Sequence, residues 1–183
     1  MNVGSSAPDL VSVDELKAYL RIETDAEDAL LAGLIRTASA TVEAWCGQLL
    51  VTQERVDEGI TADGVLPLSG NPVRRVETVA RQEADGSWID LPPEAWTVEM
   101  DGWGRAHVRV GPGGSPKRLR CRYRAGMAET WNAVPEPLRQ AVIRAAAHAF
   151  THRDGAEDAG IPAAVRQLVA PFRVMRAGGG FAA

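Results

Sequence analysis

The sequence predicts an α+β protein, a small helical bundle from N- and C-terminal helices with an inserted antiparallel β unit. Three observations carry this. Residues 24–47 hold one unbroken helical period. Residues 50–126 switch to short alternating runs separated by Gly, Pro and Asp-Gly turns. A helical period returns after Val134.

Residues 1–11 are small and polar and read as a loose arm. Ser12 opens the first helix, Val13 to Leu20, with Glu15 at capping-box spacing. Arg21-Ile22-Glu23 turns the chain into the long helix. There Thr24 and Glu27 repeat the box, and Leu31, Leu34, Ile35, Ala38, Val42 and Trp45 form an apolar stripe. Gly47 ends it, because glycine enters the left-handed stop position without cost. Strands are expected at 49–56, 65–68, 73–81, 88–91, 96–100, 106–110 and 119–123, with turns at 69–72, 84–87 and 111–116. Pro135 and Pro137 suit the first turn of a third helix, with Leu138, Val142, Ala145, Ala146 and Ala149 as its buried face. Ala163 to Val169 is a short fourth helix before Pro171. The divisions expected are a helical hairpin at 1–48, a β unit at 49–126, helices completing the bundle at 127–170, and a flexible docking tail at 171–183.

Composition is that of an ordinary globular chain: 183 residues, 45% hydrophobic, 24% charged, net charge −4. No apolar run reaches the ~18 residues of a membrane span, so no membrane partner is expected. The opening MNVGSSAPDL has no basic n-region, so the protein reads as made in the cytoplasm. Cys46 and Cys121 sit in apolar patterns without metal-ligand spacing, which fits buried free thiols.

No catalytic constellation emerges. His148 and His152 stand at i, i+4, but His-Ala-Phe-Thr-His lacks the glutamate base of a zinc protease. A solvated pair at a helix C-terminus is the simpler reading. Gly111 to Gly114 is followed by no Gly-Lys-Ser/Thr, so it is no phosphate loop. Neither an enzyme, a metal nor a cofactor is expected.

The unusual stretch is Lys117 to Arg124. On a strand, Arg118, Arg120, Arg122 and Arg124 share one face, and Leu119, Cys121 and Tyr123 share the other. Such arginines either pair with acids of neighbouring strands or of a neighbouring subunit, or line a nucleic-acid path. The acidic total favours pairing; a small DNA-binding module using Arg118 to Arg124 is the alternative. Trp88, Trp96, Trp103 and Trp131 lie in or beside the β block and suit a core or a partner surface.

Taken together, Ser12 to Gly47, Leu66-Pro67-Leu68 with Pro72-Val73, Tyr123-Arg124-Ala125-Gly126, Val134 to Ala141 and Ile161 to Arg173 resemble, in order, the head–tail connector (adaptor or head-completion) proteins of tailed phages and gene transfer agents. The sequence departs from them in its Gly/Pro-rich region at 101–116 and its glycine-rich tail. The resemblance implies a virion structural protein of the particle neck. It implies a homo-oligomeric ring, commonly a dodecamer, between the portal protein and a tail or stopper protein, with DNA passing through the channel. Within it, a C-terminal arm of Val169, Pro171, Phe172, Arg173, Val174, Met175, Arg176 and Phe181 would bind the portal. Arg118, Arg120, Arg122 and Arg124 would contact a neighbouring subunit or the channel.

Overall fold

The computed structural model describes residues 11–101, 105–111, 117–152 and 161–174. They fall into two compact units.

The first unit comprises residues 11–51 and 128–174 and holds the helices: α1 (Val13–Leu20), α2 (Asp28–Cys46), α3 (Glu136–Thr151) and α4 (Ala163–Val169). α3 is central and packs against α1, α2 and α4. Leu16, Leu31, Val42, Leu138, Val142 and Val165 fill this core at 0–1% exposure. Burying each such side chain contributes ~1.5–3 kcal/mol before entropy is counted.

α1 begins as expected, with the Glu15 N–H donating to Ser12 Oγ at 3.1 Å. α2 does not. The Thr24–Glu27 capping box is absent, and the helix starts at Asp28 with Glu27 at its N-cap and no side-chain cap bond. The Lys17 side chain is only 10% exposed, and its ammonium reaches Asp25 at 2.5 Å and Asp28 at 3.0 Å. Asp25 lies in the turn before the helix. The hydrogen bond from Lys17 holds the Asp25 carboxyl below its usual range. The bonds to Asp25 and Asp28 raise the Lys17 ammonium.

Gly47 ends α2 at φ 70°, with its N–H on the Glu43 carbonyl. The strand expected from residue 49 is also corrected. Leu50 and Val51 are buried in the helical unit; the Leu50 N–H donates to Glu43 Oε1 at 2.9 Å, and Val51 bridges Ala128. On α3, Ala149 is exposed and Ala145 half-buried, while Ala141, Ile143 and Ala147 are buried instead.

The second unit, Thr52–Met127, is antiparallel β. Its strands are β1 (Gln53–Thr61), β2 (Val65–Pro67), β3 (Val73–Gln82), β4 (Trp88–Asp90), β5 (Trp96–Met100), β6 (Ala106–Val110) and β7 (Lys117–Ala125). They form a four-stranded sheet ordered β1-β7-β3-β4 and a three-stranded sheet ordered β2-β6-β5. Leu119, Cys121, Tyr123, Val79 and Val108 are fully buried, and Leu66 and Ala106 nearly so.

Candidate interaction surfaces

The alternation on β7 separates two chemistries. Its odd positions are core. Burial raises the Cys121 thiol to about 12, with the Asp57 carboxylate adding to the shift. Tyr123 is likewise raised to about 12, by burial and by its bond to Asp57. The Tyr123 hydroxyl donates to Asp57 Oδ2 at 2.7 Å and accepts the Gly70 N–H at 2.7 Å. The same carboxylate takes the Ser69 N–H at 2.6 Å and the Ser69 hydroxyl at 2.8 Å. This clasp fastens the Ser69–Pro72 turn to the sheet. A methyl group on Gly70 would lie 2.9 Å from the Ala125 Cβ and 3.0 Å from the Tyr123 oxygen, so only glycine fits.

The even positions of β7 face outward, and their partners come from β1. The register sets Arg120 opposite Glu58 and Arg124 opposite Glu54. Arg118 and Arg120 reach Glu58 at 3.3 and 2.6 Å, and Arg122 reaches Glu54 at 3.3 Å. Arg120 also lies 3.9 Å above the Trp88 ring. On β3, Arg75 stands opposite Arg124 and pairs with Glu77 at 3.1 Å. The arginine face is therefore laced by acids of its own chain. Glu54 and Glu58 were legible in β1, but pairing them needed the register.

On the smaller sheet, Glu99 accepts from Arg109 at 2.9 Å and lies 3.1 Å from His107 Nε2. The Arg109 and His107 bonds hold its carboxyl below the usual range. Val98 and Met100 on the same strand are exposed.

The expected portal-binding residues divide. Val169 is 1% exposed and belongs to the helical core, so its side chain offers no surface. Pro171 and Phe172 lie in a single 3-10 turn. Residues 172–174 are held rather than loose: Gln48 Nε2 donates to the Phe172 carbonyl at 2.5 Å and the Val174 N–H to the Cys46 carbonyl at 2.9 Å. The Arg173 guanidinium lies 4.9 Å from the Trp45 ring centroid. Met175, Arg176 and Phe181 fall outside the described residues, as does Trp103. Trp131 is 8% exposed and lies in the helical unit, not the β unit.

The rings of His148 and His152 stack at 4.2 Å, and His152 Nδ1 lies 2.8 Å from the Thr151 hydroxyl and 3.1 Å from the His148 carbonyl. No group of three or more metal-ligating side chains occurs among the described residues. No described helix is long and apolar enough to cross a membrane.

Residues 11–81 match the family of phage gp6-like head-tail connector proteins. No curated protein matches the chain significantly. Among solved structures, a chain from the virion of the native gene transfer agent (GTA) particle is 27% identical, with TM-score 0.77 and 98% of both chains covered. A chain from the neck of the native GTA particle, computed with C12 symmetry, is 27% identical with TM-score 0.71 over 98% of both. A third, from the neck of an empty GTA particle computed with C6 symmetry, shares the fold at TM-score 0.80 and 23% identity, over 98% of this chain and 97% of that one.

Proposed function

We propose that this chain, whose residues 11–81 match the phage gp6-like head-tail connector proteins, is a structural adaptor in the neck of a tailed phage or phage-like particle. One observation carries the reading. The likeness to GTA neck and virion chains at 27% identity spans 98% of both partners, so it covers both units and not one borrowed module. In this role the subunits form a ring between the portal protein and a tail or stopper protein, and DNA passes through its channel. The C-terminal arm docks on the portal. Because Val169 is core and residues 172–174 are tied to the end of α2, the arm's docking segment begins at Met175. Many weak contacts acting together make the docking tight.

The arginine strand pairs with acids of its own sheet in this reading. Glu54 and Glu58 already neutralise part of the charge on Arg118, Arg120 and Arg122, which favours a role within the sheet over a DNA-binding module.

Light scattering of the purified chain, alone and with its cognate portal, tests the proposal. A ring-sized species with portal is expected. A chain that stays monomeric with and without portal refutes it.

A further inference from the structure

The outward face of α2 carries small residues between Arg36 and Trp45. Thr37, Ala40 and Ala44 are exposed on it. The Thr37 and Thr41 hydroxyls donate back to the Gly33 and Thr37 carbonyls at 3.1 and 2.8 Å. Their hydrogen-bonding capacity is spent within the helix. With Trp45, Ile161 and Arg166, this face encloses an open groove of about 890 Å³. Arg36 and Arg166 line it, and neither has an ion pair with a described residue. The lining is thus mainly apolar and carries two positive charges.

The other end of the same helix is its complement. Glu23 and Asp25 are exposed and Glu27 half-buried at the turn before α2, and Leu30 beside them is 42% exposed. Lys17, the cation buried beneath, is shared between Asp25 and Asp28 and leaves the turn net negative. A cyclic ring requires two different, mutually complementary patches on each subunit. A basic apolar groove and an acidic turn carrying one exposed leucine have that relation.

We propose that the groove receives the acidic turn of a second copy of this chain. Leu30 of one copy packs against Trp45, Ala40 and Ala44 of the next, and the Glu23 to Glu27 carboxylates face Arg36 and Arg166. This rests on the ring reading above. It assigns the subunit contact to the helical unit and relieves the arginine strand of that task.

Charge reversal of either patch in the full chain tests it, because each reversed chain repels itself while the two attract one another. One variant carries Glu23→Lys and Glu27→Lys, the other Arg36→Glu and Arg166→Glu. Sedimentation velocity is run with portal present. Each variant alone is expected to need at least tenfold more protein than wild type to assemble, and an equimolar mixture to recover wild-type assembly. Ala40→Trp, which fills the groove without changing charge, is expected to block assembly while the chain stays folded by circular dichroism. If both reversed variants assemble like wild type, or the folded variants fail to rescue one another, the contact is wrong and the ring stands. If reversed groove chains form rings but lose portal, the groove belongs to the portal and the contact is again wrong. If wild type never leaves the monomer, the ring reading falls, and this contact with it.

Discussion

Replacing Tyr123 by phenylalanine removes one oxygen atom and two hydrogen bonds from the centre of the β unit. The side chain is completely buried. Its hydroxyl donates to the Asp57 carboxylate at 2.7 Å, a charge-assisted bond worth ~1.5–3 kcal/mol net. It also accepts the Gly70 N–H at 2.7 Å, and leaving that buried donor unpaired costs ~1–3 kcal/mol. The two losses share one oxygen and overlap, so about 2–4 kcal/mol is expected for the pair. For a chain of this size, each kcal/mol lowers Tm by ~2–4 °C, which places the variant roughly 5–15 °C below wild type. The same substitution changes the alkaline limb. The native phenol titrates at about 12 against 10.0 for the free group. Its folded value is raised, so its contribution is fully present below pH 10 and is lost as pH rises from about 10 to about 12. At ~1.36 kcal/mol per pH unit, that loss is at most about 2.7 kcal/mol, and Tyr123→Phe abolishes it. The buried thiols still contribute to the alkaline loss: Cys121, raised from 9.0 to about 12, and Cys46, also raised by burial. Calorimetry at pH 7, with denaturant titrations at pH 8, 10 and 11.5, reads both effects. A Tm within about 2 °C of wild type would refute the clasp, since that shift corresponds to less than ~1 kcal/mol.

Gly70→Ala forces a methyl group against the Ala125 Cβ and the Tyr123 oxygen and is expected to cost ~1–3 kcal/mol by chemical denaturation; a neutral result would mean the turn relaxes freely. Glu58→Gln strips the partner from Arg118 and Arg120, which are half-exposed, so stability should fall by no more than about 1 kcal/mol; DNA affinity measured across a salt series should stay weak in wild type, and a steep salt dependence would revive the DNA-binding alternative. Ending the chain after Val174 should leave the melting curve in place and abolish capture by immobilised portal, and capture by that chain would move the docking segment elsewhere; ending it after Leu168 also removes the buried Val169 and should unfold the helical unit by circular dichroism.

Elements whose signals are local were legible from neighbouring residues. α1 and α4 have the expected ends because Ser12 caps one, while Pro162 and Pro171 bound the other. β5 and β6 hold their expected spans, and β3, β4 and β7 lie within one or two residues of theirs, because period-two alternation between turn residues admits little else. The two faces of β7 were legible for the same reason. The ordered motifs also carried the family resemblance, which the match over residues 11–81 and the likeness to GTA chains bear out. Tertiary structure alone decided what depends on residues far apart in sequence. The start of α2 moved from Thr24 to Asp28, at a turn where Lys17 of the preceding helix pairs with Asp25 and Asp28. Leu50 and Val51 left the first strand because the helical unit buries them. Val169 passed from arm to core in the same way. The arginines found Glu54 and Glu58 through the β1–β7 register, across about sixty residues of chain. A capping motif or an alternation is a property of neighbours and is present in the unfolded chain. Register, burial and charge pairing exist only once distant segments meet, and there the larger energy of packing and desolvation overrides the local preference.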